Sequence, residues 1–201
     1  SRCLVHESVH DDLVEKLVEK AERITLGPGS DPDTDMGPVI SESAREEILG
    51  YIDGAVEDGA TLLTGGGVPD DPALADGTFV EPTILDDVDT EMAVGCEEIF
   101  GPVLSVVPVE STDDAIAVAN DSPYALAAAV WTEGLDATRL ARRLDHGLVA
   151  VNTFPVSMPQ SPWGGNKQSG LGREGGLEGA DAFTTVDSVV VEFDEMADPY
   201  R

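Results

Sequence analysis

Two carboxylates stand beside an aromatic ring and a Gly-Pro pair in Glu97-Glu98-Ile99-Phe100-Gly101-Pro102-Val103. An apolar run follows, so these polar groups sit at the entrance of a strand. A carboxylate there accepts both hydroxyls of a ribose, and a ring packs on the face of a nicotinamide. A plain strand-entry turn accounts for the same residues as well. A second stretch, Pro162-Trp163-Gly164-Gly165-Asn166-Lys167-Gln168-Ser169-Gly170-Leu171-Gly172-Arg173-Glu174, combines an indole, two cations, a carboxylate and four glycines.

Other chemistries fit the residues less well. Gly170-Leu171-Gly172-Arg173-Glu174-Gly175 matches G-x-G-x-x-G in form. That motif holds a pyrophosphate when a strand runs directly into the turn and a helix starts after it. Here the nearest expected strand ends near Phe154, and no acidic residue about 20 positions on closes a second strand. The glycines are read as sites of positive φ and close chain approach. Gly65-Gly66-Gly67 lacks the Lys of a phosphate loop and reads as a turn. Cys3 and Cys96 are the only thiols. Cys3 falls in an expected strand. Cys96 precedes two carboxylates, which disfavour a thiolate. Both read as structural. His6, His10 and His146 have no ligand spacing and read as surface or half-buried groups.

The elements that must position these groups follow from periodicity. Residues 3–7 suit a short strand. Asp11-Asp12 open a helix through about Ile24, with Leu13, Val14, Leu17, Val18 and Ala21 at helical spacing. Ser41 caps a second helix whose Ala44, Ile48, Ile52 and Ala55 share a face. Ala60–Thr64 is a short strand. Phe79–Leu85 is extended, with Pro82 marking an edge or a break. Val103–Val109 is apolar enough for a parallel sheet covered on both faces. Ser111 caps a helix to about Asn120. Leu126–Trp131 is read as a buried strand, Asp136–Leu144 as a helix and Leu148–Asn152 as a strand. Residues 153–172 form a long loop of a length that is usually functional. Thr184–Phe193 alternates around Val186 and reads as a strand left at a sheet edge, which invites pairing with a second chain. Strands alternating with helices give an α/β class with a parallel-rich sheet and flanking helices.

Taken together, Glu97–Val103, Val151-Asn152, Pro162–Glu174 and Thr184–Phe193 resemble the C-terminal part of the aldehyde dehydrogenase family. Met36-Gly37-Pro38 and Phe79-Val80-Glu81-Pro82-Thr83 resemble it too. The resemblance implies a portion of that family's catalytic domain over 1–183, with a segment at about 85–110 facing the cofactor. It implies an oligomerisation strand and tail over 184–201. Glu98 would bind the nicotinamide ribose of NAD or NADP, and Phe100 would contact the cofactor near the nicotinamide. Pro155, Ser157 and Trp163 would line the aldehyde tunnel. Asn152 and Glu174 would support the active site, Glu174 as a carboxylate one layer behind it. An indole at Trp163, where many members carry Phe, resembles betaine and amino-aldehyde dehydrogenases, since Trp is the best ring for a quaternary ammonium. A larger hydrophobic wall is the other reading.

The complete enzyme of this family oxidises an aldehyde to a carboxylic acid through a cysteine thiohemiacetal, with NAD(P) as acceptor. The family's nucleophile belongs in a Gly-Gln-x-Cys run directly upstream of a Ser-Arg pair, and this chain opens at Ser1-Arg2 without an initiator Met. The general base, the oxyanion amide and the cofactor domain are likewise expected upstream, so no catalytic residue is expected here and the chain alone is expected to be inactive. The alternative is a non-catalytic oligomerisation fragment, or the partner of a separately encoded N-terminal half. Expected partners are a small aldehyde and further copies of the chain.

Composition narrows the setting. Of 201 residues, 41% are hydrophobic, enough for a core. No window approaches the roughly 18 uninterrupted apolar residues of a membrane span. Two distant thiols suit a reduced cytoplasm. Forty acids against 11 Lys and Arg give a net charge of −29, with the acids spread along the chain. Such a surface repels nucleic acid. It suits a halophilic cytoplasm, because the screening length shortens to about 3 Å at 1 M salt and self-repulsion falls. The melting temperature is therefore expected to rise between low and multimolar KCl; equal melting in both would exclude the adaptation.

Overall fold

The apolar runs of the first 110 residues meet in one four-stranded sheet. In the computed structural model, which describes residues 1–134, 136–154 and 158–191, the chain divides into two units, Ser1–Ser122 and Pro123–Arg201. The first contains β1 (Arg2–His6), α1 (His10–Glu22), α2 (Glu42–Glu57), β2 (Thr61–Thr64), β3 (Thr83–Asp86), α3 (Ala93–Cys96), β4 (Val103–Val109) and α4 (Thr112–Asn120). The sheet order is β1-β4-β3-β2. β4 pairs in parallel with β1 and with β3, whereas β2 runs antiparallel to β3.

Period-two alternation sends successive residues of β3 and β4 to opposite faces. Ile84 and Val106 join Val5 and Ala21 in one cluster, against which Leu13, Val14 and Leu17 of α1 pack. Leu85, Val103 and Val107 join Ile48, Ile52 and Ala55 of α2 in the other. Both faces of the sheet are thus covered, as the apolar run 103–109 predicts. Leu85 is fully buried, which contributes about 2–3 kcal/mol by removal from water. Ser41 caps α2, its Oγ accepting from the Ala44 amide at 3.1 Å, and Ser111 caps α4 in the same way. Pro82 acts as a break: β3 starts at the next residue and lies inside the sheet. The buried Ser105 hydroxyl is satisfied, donating to the Val94 carbonyl at 2.9 Å.

The second unit contains β5 (Tyr124–Ala125), β6 (Ala127–Val130), α5 (Ala137–Ala141), β7 (Leu148–Val151), β8 (Asn166–Lys167) and α6 (Gly176–Asp181). β5 pairs antiparallel with β8, and β6 pairs in parallel with β7. Two expectations are corrected here. The stretch expected as a buried strand is only half-buried in β6, because a two-stranded pair covers little surface. The helix expected to Leu144 stops at Ala141. Of the stretch Thr184–Phe193, expected as a strand that pairs with a second chain, residues 184–191 join no sheet among the described residues, and Val186 and Val190 are more than nine-tenths exposed. A strand needs a neighbour for its N–H and C=O groups, and residues 192 and 193 lie outside the described residues.

His10 ties α1 to the sheet. Its Nε2 lies 2.9 Å from Asp86 Oδ1 and its Nδ1 lies 3.1 Å from Asp11 Oδ1. Carboxylates only accept, so the doubly protonated ring alone donates to both. Hydrogen bonds to Asp11 and then Asp86 raise the His10 pKa above its ordinary 6.5. The cation is therefore favoured by folding. Its stabilisation is complete below about pH 6.5 and is lost as pH rises through the folded value. Urea unfolding of the chain and of His10→Gln should show a stability gap at about pH 5.5 that shrinks by about pH 8.5.

Candidate functional site

The segment 97–101 is anchored at its middle residue. Ile99 is 4% exposed and belongs to the α2-side cluster. Its burial turns Glu98 and Phe100 outward, and Phe100 is 85% exposed. Phe100 has φ +54, the left-handed region, which costs a bulky residue on the order of 1–3 kcal/mol. Burial of Ile99 supplies about 2 kcal/mol in return, so the conformation is sustained by the core beneath it. Glu98 and Phe100 line an open groove of ≈ 570 Å³ with Ser1, Met36–Val39, Val80, Gly101 and Pro102. Ligand sites commonly enclose roughly 300–1,000 Å³. Three stretches that sequence reading singled out, 36–38, 79–83 and 97–103, therefore supply walls of one groove. Its carboxylate is suited to a vicinal diol and its ring to a flat heterocycle.

Glu97 does not line the groove. Its Oε2 accepts from the Tyr51 hydroxyl of α2 at 2.6 Å, and its amide donates to the Ala93 carbonyl at 2.8 Å. Periodicity carried no sign of this bond between residues 46 apart.

The second unit holds Trp163 and Glu174 together. Each amide donates to the other's carbonyl at 2.7 Å, an isolated antiparallel bridge. Trp163 is half-buried and the Glu174 side chain is exposed. Arg173, which sequence reading did not single out, organises this loop. Its Nη1 donates to the carbonyls of Gly165 (2.6 Å) and Gly172 (2.9 Å), and its Nη2 donates to Asn166 Oδ1 at 2.7 Å. Asn152 follows β7 with φ +51. Its side-chain amide accepts from Thr132 N and donates to Thr132 O, both at 2.9 Å. It thereby extends the β6–β7 pairing by one residue. Pro155 and Ser157 lie outside the described residues.

The remaining candidates behave as structural groups. Cys3 is half-buried in β1, and burial raises its thiol pKa. Cys96 is exposed, its Sγ donating to the Met92 carbonyl at 3.3 Å. The six-residue α6 follows Gly175, but the only strand close upstream is the antiparallel two-residue β8. The G-x-G-x-x-G form therefore lacks its βαβ frame among the described residues, which also contain no cluster of three His, Cys, Asp or Glu side chains suited to a metal.

The family model for the aldehyde dehydrogenase family matches residues 1–189. The chain belongs to the aldehyde dehydrogenase family. It is 44% identical over 190 residues to betaine aldehyde dehydrogenase of Bacillus subtilis (strain 168), covering 94% of this chain and 39% of that protein. It is 42% identical over 193 residues to 2-hydroxymuconic semialdehyde dehydrogenase of Pseudomonas putida, covering 95% and 40%. Among solved structures, betaine aldehyde dehydrogenase of Staphylococcus aureus in complex with NAD+ matches with TM-score 0.88 at 46% identity, covering 91% of this chain and 37% of that one. Mycobacterium tuberculosis aldehyde dehydrogenase complexed with NAD+ matches with TM-score 0.90 at 40% identity, covering 98% and 40%. The fold is accordingly a portion of the aldehyde dehydrogenase fold, and the chain spans about two fifths of the length of the curated relatives it matches.

The geometry of the Trp163 loop rests on a backbone contact. A Cβ placed on Gly147 would lie 1.7 Å from the Gly164 carbonyl oxygen, whereas one on Gly172 meets nothing within 4 Å. Gly147→Ala is expected to push the loop away at a cost of about 1–3 kcal/mol. Gly172→Ala should leave the melting temperature nearly unchanged. Thermal melts of the two variants check the contrast.

Proposed function

We propose that this chain is the part of an NAD(P)-dependent aldehyde dehydrogenase that receives the nicotinamide riboside end of the cofactor and walls the aldehyde site. The carrying observation is the groove in which an outward carboxylate, Glu98, and an outward ring, Phe100, stand on either side of buried Ile99. Glu98 accepts the two ribose hydroxyls, and Phe100 packs beside the nicotinamide. The cofactor, when bound, supplies the hydride acceptor for aldehyde oxidation. Trp163 forms an aromatic wall of the aldehyde tunnel, with Pro155 and Ser157. An indole face suits the cationic aldehyde of the relatives named for betaine aldehyde. Asn152 and Glu174 keep that region in register.

We assign 1–183 to the catalytic domain and 184–201 to an arm that pairs with a further copy of the chain. The exposed Val186, Val189 and Val190 support the second assignment. The acidic surface and two distant thiols support a salt-rich, reducing cytoplasm. Neither Cys3 nor Cys96 suits a nucleophile, since one thiol is held protonated by burial and the other donates to its own helix. The purified chain is therefore expected to give no turnover with NAD+ and betaine aldehyde.

Nicotinamide riboside tests the reading directly. In 1 M KCl, where long-range attraction to the acidic surface is screened, it should bind the chain with Kd on the order of 1 mM. Amide shifts should centre on Glu98–Gly101, and Glu98→Gln should weaken binding about tenfold. Equal affinity in Glu98→Gln would remove the proposal.

A further inference from the structure

Helix α2 touches the groove segment at alternate residues. At Glu97 the Tyr51 hydroxyl donates to the carboxylate at 2.6 Å. At Ile99 the side chain shares a buried cluster with Ile48 and Ile52, against which the Tyr51 ring also packs. At Gly101 the missing Cβ leaves room for Ile48, whose side-chain atoms would stand 2.6–3.0 Å from it. The residues between these points, Glu98 and Phe100, are the ones that face the groove. The apolar contacts at Ile99 and Gly101 fix the segment's depth and its far end, but leave the side chains ahead of this pivot without a fixed direction. A polar tether ahead of the pivot removes that freedom, and the Tyr51–Glu97 bond lies one residue before Glu98. It is short and ends on a carboxylate, as expected of a charge-assisted bond. A simple strand-entry turn has no need of a tether to a helix 46 residues earlier.

We infer that Tyr51 and Glu97 form a positioning pair that sets the direction of the Glu98 carboxylate and the left-handed turn at Phe100. Neither residue touches the ligand. They act on nicotinamide riboside affinity through the backbone of 97–101. This rests on the groove reading above, and the test separates the two.

The full 201-residue chain and its variants are titrated with nicotinamide riboside in 1 M KCl, with amide spectra recorded before ligand is added. Tyr51→Phe keeps the ring packed against the core and removes only the hydroxyl. It is expected to weaken binding about three- to tenfold and to shift the ligand-free amides of Glu98–Gly101. Glu97→Ala should do the same, and the double variant should be no weaker than either single one, the signature of a coupled pair. Glu97→Gln still offers an oxygen to the Tyr51 hydroxyl and should recover most of the affinity. A merely structural role would lower the melting temperature without this pattern of coupling and rescue. If Glu98→Gln loses affinity while Tyr51→Phe binds as the parent chain does, the positioning pair is overturned and the groove reading stands. If Glu98→Gln binds unchanged, the groove reading falls and this inference falls with it.

Discussion

Burial of Ile99 governs the groove because the backbone on either side of it carries Glu98 and Phe100 away from the core. Once Ile99 enters the cluster of Ile48, Ile52 and Val103, its neighbours Glu98 and Phe100 must leave the core. The exposed carboxylate and the exposed ring are thus products of one apolar contact. The left-handed backbone at Phe100 adds an opposing cost of similar size. Two terms that nearly cancel make the segment sensitive to small further contacts, which is why a hydrogen bond at the protein surface, normally of minor energetic weight, matters at Glu97.

The sheet supplies a rigid base for that segment. β4 leaves Gly101-Pro102 and is gripped by β3 from Val103 and by β1 from Ser105. It outruns β3, which is how Pro108 is accommodated: Ser105 bonds toward β1 and Val106 toward the β3 side, so Pro108, two residues on from Val106, turns its missing N–H to the side where β3 has already ended. The two helices on opposite faces differ in kind. α2 buries large aliphatic groups, whereas α1 buries only Ala21 completely and relies on half-buried side chains and the His10–Asp86 contact. The face served by α2 is the one that carries the groove.

Much of this was legible beforehand. Helices α1, α2 and α4 announce themselves by spaced aliphatics and by Ser or Asp at their starts, and β4 by an apolar run bounded by Gly-Pro. Two short helices were missed. α3 has only four residues, and α6 contains Gly176 and Gly179, has no side-chain cap and buries only a glycine, so neither leaves an apolar period. The antiparallel sense of β2 depends on where a long loop returns the chain, which no local pattern records. The groove lining was readable where it consists of side-chain types in one run, as in Glu98 and Phe100. It was not readable where distant residues meet: Tyr51 with Glu97, Arg173 with the Gly165 carbonyl, Asn152 with Thr132. Such bonds depend on the finished fold and have no period. The 184–191 stretch shows the converse, a β-type alternation that joins no sheet among the described residues.

That stretch presents valines at 186, 189, 190 and 191, all open to solvent. An uncovered β-prone run is held apart from its like by the mutual repulsion of strongly negative molecules. Added electrolyte relaxes the strain within each molecule and at the same time removes the barrier between molecules. For the salt-adapted surface and the pairing arm proposed above, the conditions that favour folding are therefore also those that favour self-association through this end. Stability and dispersal are set against each other by a single variable, the ionic strength.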